Sequence, residues 1–153
     1  MREAVIVSTA RTPIGKAYKG AFNNTEAPAM GGHVVKHAVE RAGLEGAEVD
    51  DVVMGLAAPQ GTQGYNVGRL SAIAAGLPDT VSGIQMDRMC SSGLMTIGYA
   101  AKAIMCNEMD IVVAGGLESI SLVQNKHKNT HKAVSKTVTA LSPTMYMAMI
   151  ETA

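Results

Sequence analysis

Short runs of β-branched and aliphatic residues alternate with longer helical stretches along this chain, and that alternation constrains the fold more than any other feature. Strand-like runs fall at residues 3–9 (EAVIVST), 51–55 (DVVMG), 81–86 and 110–114 (DIVVA). Between the first two lies residues 27–42, where Met30, Val34, Val35, Ala38, Val39 and Ala42 recur on one helical face before Gly43. Residues 66–75 and 91–107 read as two further helices, the former ending at Gly76. A β-α-β-α-β-α-β order predicts an α/β fold with a mostly parallel sheet, right-handed crossovers and helices on both faces. Val5-Ile6-Val7 and Ile111-Val112-Val113 are continuous apolar runs of the kind that parallel strands bury on both faces.

The helix predicted over 91–107 is apolar nearly all round, with Lys102 its only charged residue, which predicts burial at the centre of the fold. Gly93 and Gly98 each cost about 1 kcal/mol in a helix, so both are expected where a neighbouring backbone approaches closely. Cys90 stands where the third strand turns into this helix. A helix N-terminus offers unpaired N–H groups and positive partial charge, which favour a thiolate and an acyl oxyanion. Ser91, Ser92 and Gly93 are small and leave room for a substrate. Two readings stay open at this level: a nucleophile, or a packed cysteine of the kind common in cores. Cys106, at the far end of the helix, reads as structural. About 24 Å of helix separates the two cysteines, too far for a disulfide.

Composition excludes other classes. With 47% hydrophobic and 17% charged residues, the 153-residue chain is expected to be folded rather than disordered. Thirteen basic and thirteen acidic residues balance, and aromatics are 3% with no Trp, which argues against nucleic acid as a partner. No apolar run reaches the ~18–20 residues of a membrane span, and the start has too short an apolar stretch for a signal peptide. Reduced thiols and a cytoplasmic location are therefore expected.

Other chemistry-bearing residues are weaker. His33 and His37 are four apart with no Glu between them, and no metal site is expected. Gly115-Gly116 reads as a sharp turn after the fourth strand, and neither a dinucleotide-binding nor a Walker pattern occurs. From Ser119 to Ile150 there is no acidic residue, while Lys126, Lys128, Lys132 and Lys136 add four positive charges beside His127 and His131. Such lysines act either as a solvated surface or as point charges for phosphates. Ser142-Pro143 reads as the start of a new helix. The chain stops soon after, so it is expected to be a portion of a longer protein.

Three segments together resemble the N-terminal half of the thiolases, the acetyl-CoA acyltransferases. They are Ser8-Thr9-Ala10-Arg11-Thr12-Pro13-Ile14-Gly15, Arg88-Met89-Cys90-Ser91-Ser92-Gly93-Leu94 and Ala114-Gly115-Gly116-Leu117-Glu118-Ser119. The resemblance runs over residues 1–121, an N-terminal α/β domain, and residues 122–153 correspond to the start of the family's loop domain over the coenzyme A site. It implies a thiolase-like fold in which Cys90 is the acylated nucleophile, its own N–H helping to hold the oxyanion. It implies acyl-CoA and CoA as substrates, no tightly bound cofactor, and a homodimer or homotetramer. Lys126, Lys128, Lys132 and Lys136 would face the CoA phosphates.

The family's acid–base residues come from Gly-His-Pro, Cys-x-Gly and Asn-Glu-Ala-Phe segments of its C-terminal half. None of these occurs here, so the fragment alone is expected to be inactive. Asp87 and Met95 depart from the family's usual Asn and polar residue. Cys-Ser-Ser-Gly and the preceding Ala75-Gly76-Leu77-Pro78-Asp79 favour a degradative member, active in fatty acid metabolism. The alternatives are a non-catalytic dimerisation or packing module and a decarboxylating ketoacyl synthase.

Overall fold

The computed structural model describes residues 2–153. Helix α1 (Ala27–Ala42) leads to strand β1 (Asp51–Gly55), helix α2 (Val67–Ala74), strand β2 (Ser82–Met86), helix α3 (Ser92–Met105) and strand β3 (Val112–Gly116). Three short helices follow, α4 (Ile120–Val123), α5 (Lys136–Leu141) and α6 (Met149–Thr152). The strands lie in the order β2-β1-β3 and all run parallel, with Val53 of β1 opposite Ile84 on one side and Ala114 on the other. The chain steps one way from β1 to β2 and back across β1 to β3. Right-handed crossovers then place α2 and α3 on opposite faces of the sheet.

Local chemistry accounts for the elements. The central strand β1 is buried along its whole length, Asp51 included, as its apolar Val52-Val53-Met54 run requires. Helix α1 has Pro in its first turn and ends at Gly43 in the left-handed region, φ 69°. Helix α2 is capped by Asn66, whose side chain accepts from the Arg69 N–H and donates to the Gly83 carbonyl at 2.7 Å. Gly68 brings α2 onto the sheet: a Cβ there would lie 2.2 Å from the Ile84 carbonyl oxygen and 2.6 Å from that of Val52. The core lies between these helices and the sheet, with Val35, Val39, Val52, Met54, Leu56 and Val67 at its centre.

Asp50 ties the three strands together at their N-terminal ends. Its carboxylate accepts the N–H groups of Asp110 at 2.8 Å and Ile111 at 3.0 Å, just before β3. Its own N–H donates to the Ile111 carbonyl, and its carbonyl accepts from the Ser82 hydroxyl and N–H at the start of β2.

Several expectations are corrected. Residues 3–9 form no strand: this segment is extended but pairs with no strand, and Val5, Ile6 and Val7 are 72%, 75% and 73% exposed. With Ile111–Ser121 it lines a cavity of about 790 Å³, and no hydrogen bond joins it to β3 among the described residues. It is held instead by an Arg2–Asp110 ion pair and by the Arg41 guanidinium donating to the Thr9 carbonyl. The burial of α3 is one-sided. Ser92, Thr96, Ala100 and Ala103 face the sheet, whereas Leu94 is 73% and Ile97 41% exposed because no element of the described chain covers that face. Gly115 and Gly116 lie within β3 rather than in a turn, and a Cβ on Gly98 would meet nothing within 4 Å. Residues 143–146 form turns, and the last helix starts only at Met149.

The Ile111 and Asp110 N–H groups hold the Asp50 carboxyl below its ordinary value of 3.8. A depressed folded value contributes stability above the unfolded value, and that stability is lost as pH falls through the folded one. Asp50→Asn is therefore expected to lower the melting temperature at neutral pH. Calorimetry from neutral to acid pH should show the gap to the parent chain narrowing once Asp50 protonates.

Candidate active site

Parallel strands bring all their C-terminal ends to one edge of the sheet, where the connecting loops gather. Here those loops are residues 56–66 after β1, 87–91 after β2 and 117–119 after β3. The second carries Cys90.

The turn before α3 is held almost entirely by its own polar groups. The Met89 N–H donates to the Asp87 carboxylate at 2.8 Å. The Arg88 carbonyl accepts from the Ser91 N–H at 3.2 Å and the Ser91 hydroxyl at 2.8 Å. Met89 adopts φ 50°, a left-handed conformation unusual for a side chain of its size. Cys90 follows it, exposed and in no disulfide, one residue before the helix N-cap Ser91. Cys90 thus immediately precedes the positive end of a fourteen-residue helix.

Glycines set the position of that helix end. A Cβ on Gly55 would lie 2.5 Å from the carbonyl carbon of Ser92, and one on Gly116 would lie 3.2 Å from the Cα of Gly93. Strands β1 and β3 thereby press directly on the first turn of α3. A Cβ on Gly93 itself would meet nothing closer than 3.9 Å, so bulk is excluded at Gly55 and Gly116 rather than at Gly93. One turn on, the Thr96 hydroxyl lies 2.7 Å from the Gly93 carbonyl and 2.9 Å from that of Gly115, joining α3 to β3.

A second polar network braces the neighbouring loops. Gln63 is fully buried. Its amide donates to the Ala58 carbonyl at 2.9 Å and to the Glu118 carboxylate at 2.6 Å, while its oxygen accepts from the Ser119 N–H. The other Glu118 oxygen accepts from the Ala57 N–H at 2.8 Å. The sequence offered no sign of this network, since Gln63 sits in a polar loop without periodicity.

The remaining predicted residues are more scattered. Lys126, Lys128, Lys132 and Lys136 are all exposed and make no ion pair among the described residues. Their segment is tethered to the strand-end loops by the Asn129 N–H, which donates to the Gln60 side chain at 2.9 Å. It therefore shares the sheet edge with Cys90. Cys106 lies at the opposite end of α3, as its C-cap. His33 and His37 stack edge to face on α1 with centroids 4.5 Å apart, and no metal-binding cluster occurs among the described residues. Cys90 is not among the residues lining the large cavity beside β3.

The family model for the thiolase N-terminal domain matches residues 4–152. The chain belongs to the thiolase family. It is 43% identical over 153 residues to a 3-ketoacyl-CoA thiolase of Bacillus subtilis, covering all of this chain and 39% of that protein. It is 44% identical over 121 residues to a probable acetyl-CoA acetyltransferase of Escherichia coli, covering 79% of this chain and 30% of that protein. The crystal structure of the Bacillus anthracis acetyl-CoA acetyltransferase superposes with a TM-score of 0.74 at 41% identity, over 79% of this chain and 30% of that one. The chain thus spans well under half the length of these thiolases. Its α/β fold with a parallel sheet is a thiolase fold, and no helix among the described residues is long and apolar enough to cross a membrane.

Replacing Gln63 by Leu removes one partner from each of three polar groups at this edge, the Ala58 carbonyl, the Glu118 carboxylate and the Ser119 N–H. Leaving buried groups unpaired costs about 1–3 kcal/mol, so Gln63→Leu should lower the free energy of unfolding by that order. Urea titration with circular dichroism checks it.

Proposed function

We infer that this chain supplies the nucleophile half of a thiolase, an acyl-CoA C-acyltransferase working through an acyl-cysteine. The observation that carries this reading is the exposed Cys90 at the N-terminal end of α3, within a chain matched almost throughout by the thiolase N-terminal domain. The Cys90 thiolate attacks the 3-keto carbonyl of a 3-ketoacyl-CoA. The bond between C2 and C3 breaks, its electron pair passes to C2, and C2 takes a proton to leave as acetyl-CoA. The acyl group stays on sulfur. A CoA thiol then gives up its proton and attacks the acyl carbonyl, and the Cys90 thiolate leaves. A backbone N–H at the helix end stabilises the oxyanion of each tetrahedral step.

The proton transfers fall to groups outside these 153 residues, so the chain by itself is proposed to be inactive. General acid–base catalysis is typically worth ~10²–10⁴-fold. The proposed direction is degradative, within fatty acid metabolism. The whole-chain relative named a 3-ketoacyl-CoA thiolase supports this. The proposal includes a homodimer or homotetramer, a cytoplasmic location, and acyl-CoA and CoA as the only small-molecule partners, with no tightly bound cofactor.

In the complete protein, Cys90→Ser should abolish acyl transfer, because a serine hydroxyl stays protonated without a strong base beside it. Mass spectrometry after incubation with acetyl-CoA should place an acetyl group on Cys90. Turnover near the parent value in that variant would overturn the reading. The isolated 153-residue chain should show no thiolysis above background.

The lysine segment is proposed to face the CoA phosphates, supported by its four unpaired ammonium groups and its tether at the Cys90 edge of the sheet. Exposed charges act over about 8–10 Å at physiological salt. Changing Lys126, Lys128, Lys132 and Lys136 together to Gln should raise KM for CoA, most at low ionic strength, with kcat little altered. A KM unchanged at low salt would make the segment a solvated surface.

A further inference from the structure

Ser92 is the one buried side chain that grips the turn bearing Cys90 from below. It is 3% exposed, and its hydroxyl accepts the Arg88 N–H at 2.8 Å. The same oxygen lies 2.6 Å from the Met89 carbonyl and 3.1 Å from the Leu56 carbonyl, and its single proton donates to one or the other. One hydroxyl therefore spans the two residues before Cys90 and the first residue past β1. Met89 sits between these contacts in its left-handed conformation. A non-glycine residue holds such a conformation only where its surroundings over-determine it.

The first turn of α3 cannot retreat to compensate. Gly55 lies against the Ser92 backbone, and Gly116 against Gly93. The helix is thus fixed by backbone packing, and the loop is fixed to the helix through the Ser92 hydroxyl. Ser91, the neighbour with similar chemistry, is exposed and bonds only to Arg88 within the turn. It makes no link to β1.

We propose that Ser92 is a positioning residue for Cys90: its hydroxyl ties the left-handed turn at Met89 to the first turn of α3, which Gly55 seats against β1, and so holds Cys90 at the helix N-terminus. The favourable field of a helix end falls off within one turn. A turn released from α3 lets the thiol drift from that field, while an anchored turn keeps it there. Ser92 touches no reacting atom. Its role rests on the reading of Cys90 as the acyl acceptor only in what the positioning is for.

The test uses the 153-residue chain, with Cys106 as an internal reference. Both cysteines are exposed and free, so iodoacetamide reaches each, and alkylation proceeds through the thiolate. Peptide mapping at neutral pH gives the ratio of the Cys90 to the Cys106 rate. Ser92→Ala should lower that ratio about fivefold, the order expected when a hydrogen bond of ordinary strength is lost. Ser92→Thr, which keeps the hydroxyl, should restore most of it.

Thr96→Ala serves as the control for general loosening. It deletes a fully buried hydroxyl from the same helix without touching the turn, and it should leave the ratio within twofold of the parent. A ratio unchanged in Ser92→Ala, or lowered equally in Thr96→Ala, overturns the proposal. Should Ser92→Thr fail to fold, as judged by thermal melting, the comparison of the two Ala variants decides alone. Incubation with acetyl-CoA in the complete protein separates the two readings. If Cys90 alkylation depends on Ser92 but Cys90 never takes an acetyl group, the positioning stands and the acyl-transfer reading fails.

Discussion

Direct contact between the ends of two strands and the first turn of α3 is the constraint on which the rest of this structure depends. Gly55 and Gly116 remove the side chains that would otherwise hold the helix off the sheet, and Gly93 accepts the approach from the helix side. Adding a methyl at Gly55 would set it 2.5 Å from backbone, which no rotamer change relieves. The Thr96 hydroxyl then reaches the Gly115 carbonyl, and the Ser92 hydroxyl reaches the loop. The exposure of Cys90 follows from this packing. The helix is seated so deeply that the residue before its cap is presented at the sheet edge.

The polar groups at that edge divide into two networks with different tasks. Asp87, Ser91 and Ser92 shape the turn that presents the sulfur. Gln63 and Glu118 join the loop after β1 to the loop after β3 at the same end of the sheet. Buried networks of this kind are costly when half satisfied, and here the Gln63 amide and oxygen both find partners. Asp50 does at the N-terminal ends of the strands what Gln63 does at the C-terminal ends, fastening neighbours whose side chains alone would permit sliding. The sheet is pinned at both edges, and the outer face of α3 and the segment at Val5–Val7 are left uncovered.

Much of the fold was legible in the sequence because its signals are local. Apolar residues at helical spacing and Gly43 marked α1, and an unbroken apolar run marked β1; both were read with the bounds they have. Cys90 was legible as a candidate because a strand, a small-residue turn and a helix follow in order around it. The left-handed conformation of Met89 was not, since nothing in its side chain favours it and only the contacts of its neighbours enforce it. Gly115-Gly116 read as a turn because glycine's freedom and its lack of bulk leave the same mark in a sequence. The contact of Gly116 with the first turn of α3 shows that lack of bulk is the reason at that residue.

By itself, the sequence determined the α/β class, the order of elements from α1 to β3 and the cysteine around which the chemistry is proposed, because periodicity and capping act over a few residues. Pairing was decided by tertiary structure. Val5-Ile6-Val7 has the composition of a strand, yet a strand exists only where another offers its backbone at hydrogen-bond distance. A helix apolar all round predicts burial, but its outer face is covered only where another element lies against it. The Gln63–Glu118 and Ser92–Leu56 links join residues 55 and 36 positions apart. A hydrogen bond depends on angstroms in space, and no local pattern in the chain encodes that distance.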